Sequence, residues 1–216
     1  MTAFTHPRLA AASLLALGLG ASGAAAQTAF EEAFEINRDG ATLGIVATLP
    51  SGVQRGTMFG DLVLSYAPDD RAGFVVRFYR ADSNDTANLL RDSSFDSYWH
   101  QRTPIERSEG QFAGHEAEFL RVERPGRAGS YDPVSRRRHD GERIVVVLDQ
   151  CVGLPTRPVV IELGAGWDEP PLTEDPLVAE LVSSLELTLP EDLVPCDPGL
   201  LDGLQTVQGE IDLSAW

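Results

Sequence analysis

The sequence predicts an α+β domain, in which a mainly antiparallel sheet has helices packed on it. One stretch, Arg143–Leu189, contains two strand patterns followed by a capped amphipathic helix. Elsewhere, strand patterns are separated by short turn sequences, which is typical of hairpins. Strands and helices do not alternate as they do in folds built on a parallel sheet, so the order of elements favours an antiparallel one.

The two strongest strand patterns lie at the start of that stretch. Ile144–Leu148 is an unbroken apolar run of mostly β-branched residues, typical of a strand buried on both faces. Val159–Leu163 places apolar residues at alternate positions and Glu162 between them, which indicates a strand with one wetter face. Cys151, Gly153 and Pro155 interrupt the pattern between them and predict a hairpin connection.

A helix is predicted after this hairpin, followed by a last strand at Glu186–Leu189. Asp175 suits the N-cap, and Pro176 suits the first helical position. The helix then carries one apolar stripe: Leu177, Val178, Leu181, Val182 and Leu185.

The earlier part of the chain is rich in strand patterns. The turn sequence Asn37–Gly40 predicts a hairpin between its two flanking strands. A helix is expected from Asp85 or Thr86 to about His100, and Pro125–Asp140 is expected to be a long polar loop. The predicted strands are Phe30–Ile36, Ala41–Leu49, Leu62–Tyr66, Phe74–Tyr79, a short strand at Ile105, and His115–Val122.

The first 26 residues have the pattern of an export signal. Arg8 supplies the positive charge, Leu9–Gly20 the apolar region, and three alanines precede Gln27 as a cleavage site. An uncleaved N-terminal anchor is the alternative. The predicted organisation is therefore a signal peptide at 1–26, one α+β domain at 27–195 and a C-terminal tail at 196–216, in a periplasmic or secreted protein.

The composition is acidic and contains no lysine. All 17 basic residues are arginines, against 33 acidic residues, and removing 1–26 would leave 16 − 33 = −17. A chain without lysine has no Schiff-base lysine and no phosphate-loop lysine. Its negative charge disfavours nucleic acid and anionic membranes as partners, and we expect no stable membrane insertion after signal removal.

Cys151 and Cys196 are the only cysteines, and both follow the signal. An even pair in an exported protein predicts a disulfide bond. Two free thiols, or one thiol reserved for a partner, are the alternative.

Several features of the later half resemble the PsbP-like fold, which includes photosystem II extrinsic proteins, the Mog protein and many bacterial exported domains. They are Gly114-x-x-Ala117 at the start of a strand, the hairpin into Arg143–Asp149, the Val159–Leu163 strand, and a closing helix that ends at Ser183–Leu185. The resemblance covers about residues 105–189. It implies an antiparallel sheet between helices and an accessory or binding role, and it transfers no catalytic residues.

No pattern in the sequence identifies a catalytic, cofactor or metal site. His115-Glu116 begins like a metalloprotease motif, but Phe119 stands where the second histidine would be. The remaining histidines are scattered over separate elements, which does not favour a zinc site. We therefore expect neither a metal nor a cofactor.

The arginine-rich segment 121–143 is the candidate binding region. Guanidinium groups bind carboxylates and phosphates in bidentate fashion, so we predict contact with an anionic protein or ligand there. The alternative is a solvated loop whose charge is balanced by acids elsewhere. The predicted function is an exported, non-enzymatic accessory or binding domain; the alternative is a periplasmic hydrolase whose site is assembled from distant residues. The predicted contact residues are Arg127, Arg136, Arg137 and Arg138.

Overall fold

The computed structural model of the protein describes residues 27–67, 73–82, 105–122, 130–132, 137–139, 142–152, 157–166, 170–202, 204, 206–209 and 211. For 130–132 and 137–139 only the backbone is described. These residues form strands β1 Thr28–Glu35, β2 Thr42–Leu49, β3 Gln54–Met58, β4 Asp61–Tyr66, β5 Phe74–Phe78, β6 Ile105–Phe112, β7 His115–Val122, β8 Ser130–Asp132, β9 Arg137–His139, β10 Arg143–Val152, β11 Arg157–Ala165, β12 Glu186–Thr188, β13 Val194–Pro195 and β14 Thr206–Gln208, and helix α1 Pro176–Ser183.

The predicted α+β class is wrong. The described part of the chain is mostly β, and its single helix has eight residues. The helix expected from Asp85 or Thr86 to His100 lies outside the described residues. The strands that the sequence did not predict, such as β3, β13 and β14, are short. Their sequences have no alternating pattern. They are strands because pairing with a neighbouring strand stabilises them.

Nine of the described strands form one large sheet in the order β14-β6-β7-β10-β11-β5-β4-β3, with β13 also paired to β10. β10 lies between β7 and β11, so that Val146 is opposite both Phe119 and Ile161. The predicted hairpin of Ile144–Leu148 with Val159–Leu163 is therefore confirmed. The neighbouring strands are antiparallel except β14, which runs parallel to β6.

A three-stranded sheet, β1-β2-β12, covers one face of the large sheet. Its β1–β2 hairpin confirms the prediction made from Asn37–Gly40, with Phe30 opposite Ala47. Side chains from the inner faces of both sheets form the main core, in which Ile45, Phe119 and Ile144 are fully buried. Each buried side chain of this size stabilises the fold by roughly 1.5–3 kcal/mol, so the interface between the sheets is the main source of stability.

Helix α1 packs on the same core, and its predicted start is confirmed. The carboxylate of Asp175 accepts hydrogen bonds from the backbone N–H groups of Leu177 at 2.8 Å and Val178 at 3.4 Å. The other end is held by Ser184, whose hydroxyl oxygen accepts a hydrogen bond from the backbone of Thr48 at 2.9 Å. The helix is therefore tied to β2.

The opposite face of the large sheet carries a second apolar cluster. Val145 and Val160 lie in it and are packed against Leu201 and Leu204 of the C-terminal segment. Strand β14 then joins β6, and a Cβ atom at Gly209 would lie only 2.5 Å from that of Glu106, so this close approach requires glycine. The described residues beyond 195 are thus part of the folded domain.

Candidate interaction site at the β3–β4 hairpin

The turn between β3 and β4 has an unusual residue in a left-handed conformation. Phe59 has φ 53° and Gly60 has φ 92°, between the paired residues Met58 and Asp61. Two positive φ values in a two-residue loop define a type I′ turn, which normally contains Asn-Gly or Asp-Gly. A bulky residue with positive φ is uncommon, and the left-handed conformation costs it about 1–2 kcal/mol.

The Phe59 side chain projects from this turn into solvent. It is 82% exposed, whereas the other large apolar side chains exposed in the described part of the chain, Val46, Val194 and Val207, are 43–47% exposed. Phe59 therefore adds no core packing that would offset the strain of its backbone. Uncompensated strain of this kind is characteristic of residues retained for function.

The base of the hairpin is held firmly by a buried carboxylate. Asp61 is 1% exposed and accepts hydrogen bonds from Nε of Arg77 and from the backbone N–H of Arg80, both at 2.8 Å. The guanidinium of Arg77 also lies over the ring of Tyr79, with its central carbon 4.1 Å from the ring centroid. The turn thus sits on a rigid support.

An arginine also lies beside the hairpin tip. A Cβ atom at Gly60 would lie 3.2 Å from Cδ of Arg80, so the Arg80 side chain runs along the turn backbone. Asp82 accepts from Nε of Arg80 at 3.2 Å and forms a 3.4 Å ion pair with Arg38, whose side chain is 88% exposed. Arg80 therefore lies beside the hairpin tip with its charge paired to Asp82.

Behind the hairpin, a hydrogen-bonded network of buried charges continues across β5, β11 and β10. The Tyr79 hydroxyl donates to Glu162, and Nε of Arg143 lies 2.6 Å from the other carboxylate oxygen. Burial, and secondarily the Glu162 charge, raises the pKa of Tyr79 well above its ordinary value near 10. The phenol therefore stays neutral near pH 7 and donates its hydrogen bond to Glu162.

The structure places the predicted arginine region only in part. Arg127 and Arg136 lie outside the described residues, and the backbone of Arg137 and Arg138 forms β9, paired with β8. The sequence assigned this position to a loop. Anionic-partner binding by these four arginines remains a prediction.

Two other arginines of the 121–143 segment are engaged by acids within the domain. Arg121 pairs with Glu106 at 2.6 Å and with Glu142 at 3.7 Å, whereas Arg143 pairs with Glu162 inside the sheet. Both are mostly buried, with 18% and 9% of the side chain exposed. These two residues are therefore structural and do not belong to an open basic surface.

The disulfide between Cys151 and Cys196 is confirmed, with 5.1 Å between the Cα atoms. It joins the end of β10 to the segment just after β13, and both cysteines are buried. Such a bond is compatible with an extracytoplasmic protein. Within the described ranges, no helix is long and apolar enough to cross a membrane.

His115 lies on a strand, as predicted, and its Nε2 is 3.1 Å from the carbonyl oxygen of Leu187. Across the part of the chain that the structure describes, no group of three or more histidine, cysteine or acidic side chains could hold a metal ion.

The hairpin site was missed because its sequence signal is weak. Gly60 is a turn residue, but phenylalanine is atypical in front of it, and Gln54–Met58 has no strand periodicity. Comparison of the chain with protein-family models, curated proteins and solved structures finds no match. The PsbP-like resemblance therefore remains a prediction.

Proposed function

We propose that the protein is an exported accessory or binding domain that acts through protein contacts, with the tip of the β3–β4 hairpin as a contact point. The observation that carries the proposal is Phe59, an 82% exposed aromatic residue held at positive φ. Burying its ring against a partner would contribute roughly 1.5–3 kcal/mol, enough to offset the backbone strain.

The surroundings of Phe59 support a protein partner. Aromatic residues and arginine are enriched in protein interfaces, and Arg80 lies beside the tip. The Asp61 carboxylate fixes the hairpin base, so little conformational freedom remains to be lost on binding. The export signal proposed for 1–26 and the buried disulfide support an extracytoplasmic site of action.

The arginine region is proposed as a second contact surface, for an anionic protein or ligand. Its support comes from the sequence, since Arg127, Arg136, Arg137 and Arg138 offer bidentate donors within a short segment. The two surfaces can be mutated separately, because Phe59 is distant in sequence from the four arginines.

Site-specific crosslinking tests the hairpin proposal. A photoreactive phenylalanine analogue is placed at position 59, or at position 207 as an exposed control, in protein expressed in its native host. We expect one discrete protein adduct from position 59 and none from position 207. Phe59→Ser should abolish co-purification of that protein, whereas Val207→Ser should not. Adducts of equal pattern from both positions, or co-purification unaffected by Phe59→Ser, would overturn the proposal.

A further inference from the structure

Strand β3 forms one edge of the large sheet. Its inner side pairs with β4 from Gln54↔Ser65 to Met58↔Asp61, and no strand in the described residues pairs with its outer side. Gln54, Arg55 and Thr57 are exposed. The strand therefore presents backbone groups to solvent directly beside Phe59.

The hairpin geometry identifies which backbone groups face outward. In a two-residue β-turn hairpin, the closing pair, here Met58 and Asp61, exchanges hydrogen bonds. Hydrogen-bonded and non-hydrogen-bonded pairs alternate along an antiparallel ladder, so Gly56 also bonds to β4. The N–H and C=O groups of Arg55 and Thr57 consequently point away from β4, to the outer edge.

Among the described residues, this edge lacks the usual protection against strand pairing. Native edges are commonly blocked by proline, a bulge or outward charges. β3 contains no proline, and its register with β4 is continuous. Its one charged side chain, Arg55, is turned onto Glu32 of β1, with hydrogen bonds of 2.8 and 2.9 Å.

We infer that the outer edge of β3 takes up an extended segment of another protein, which adds a strand to the large sheet and places an apolar side chain against Phe59. The inference rests on the proposed function and specifies how the partner is bound. An extended chain is the occupant because the N–H and C=O groups of every second residue, Arg55 and Thr57, face outward, and these are the groups that bond an added strand.

Charge decides what kind of segment fits. The chain carries a net charge of −16, so an acidic segment, or a second copy of this protein, would approach against repulsion. The partner segment therefore carries no net negative charge and belongs to a different protein.

Thr57→Pro is the decisive variant. Proline removes the outward N–H of Thr57 but no hydrogen bond between β3 and β4, and edge strands tolerate it. Thr57→Val is the matched control, since it keeps the N–H and the shape of the side chain. The probe is a phage-displayed library of random twelve-residue peptides selected on the full chain, and the affinity of enriched peptides is measured for each variant.

We expect enriched peptides that lack net negative charge, bind Thr57→Val as they bind the original protein, and bind Thr57→Pro about tenfold more weakly. If Thr57→Pro does not fold, hydrogen exchange of the original protein tests whether the peptide pairs with β3. On peptide binding, the amides of Arg55 and Thr57 should slow by at least about tenfold, while those of Gly56 and Met58, already bonded to β4, change less.

Three results would overturn strand addition: no enriched peptide, equal affinity for Thr57→Pro, or no slowing at Arg55 and Thr57. A dimer that Thr57→Pro disrupts would show that a second copy is the occupant and would overturn the assignment of the segment to a different protein. The proposed function fails separately. If Phe59→Ser abolishes co-purification of the native partner and Thr57→Pro does not, hairpin docking stands and strand addition is wrong.

Discussion

The Nε atom of Arg143 lies 2.6 Å from a carboxylate oxygen of Glu162, and both residues are buried within the large sheet. Glu162 also accepts the hydroxyl hydrogen bond of Tyr79. Ion pairs in such a setting tie neighbouring strands together in one arrangement, and removing one partner leaves the other charge buried.

Neutralising Glu162 should therefore be costly. Glu162→Gln keeps the side-chain shape and leaves the Arg143 charge uncompensated, so we expect the free energy of unfolding to fall by about 3–5 kcal/mol. Glu32→Gln, which removes the partially exposed partner of Arg55, should cost less than about 1 kcal/mol. Urea unfolding of both variants measures the difference, and equal small losses would contradict it.

Stability should also fall at alkaline pH because of Tyr79. The chain has no lysine and no free thiol, so tyrosines are the side chains that titrate near pH 10–11. Burial, and then Glu162, holds the pKa of Tyr79 above its value in the unfolded chain. The folded state therefore keeps a proton that the unfolded state releases, and stability present below pH 10 is lost as pH rises.

From Tyr79 alone, the expected loss is about 1.4 kcal/mol per pH unit above pH 10. Tyr79→Phe has no such proton, so its unfolding free energy should fall less steeply over the same interval. It should already be less stable at pH 8 by about 1–2 kcal/mol, because Glu162 loses a donor. Urea titrations at pH 8, 10 and 11 give the unfolding free energy of both proteins as a function of pH. If that free energy falls equally steeply in both, Tyr79 is not the cause of the loss.

Removing the disulfide should loosen the C-terminal segment. Cys151 and Cys196 are separated by 45 residues, and the chain-entropy model assigns such a loop about 4 kcal/mol of stabilisation. Replacing both with alanine should lower the free energy of unfolding by up to that amount and speed amide exchange in β14. Unchanged unfolding of the original protein with and without reductant would show that the bond contributes nothing.

The strain at Phe59 can be released by a residue suited to the turn. Phe59→Asn creates the Asn-Gly pair that type I′ turns favour and should stabilise the protein by about 1 kcal/mol while abolishing partner binding. Ala113→Asn is the matched control, because Ala113 has φ 48° in front of Gly114 in the β6–β7 turn. It should leave binding intact. A destabilised Phe59→Asn protein would show that Phe59 supports the fold.

The sequence by itself determined the elements whose local pattern is strong. The β-branched run of β10, the turn between β1 and β2, and the Asp175–Pro176 start of α1 were each predicted and observed. The disulfide followed from there being two cysteines behind a predicted export signal. For the strand, the turn and the helix start, neighbouring residues alone carry the physical cause: β propensity, positive φ at glycine, or a capping carboxylate.

Only the tertiary structure decided the fold class, the buried charges and the hairpin site. β3 and β14 are strands because β4 and β6 offer them hydrogen bonds, which polar pentapeptide or tripeptide sequences do not reveal. In the sequence, Arg143 belongs to an arginine-rich segment. Only the pairing of β10 with β11 shows that it lies beside Glu162. The sequence made no prediction for Phe59, because its exposure depends on a turn that is closed by pairing between β3 and β4.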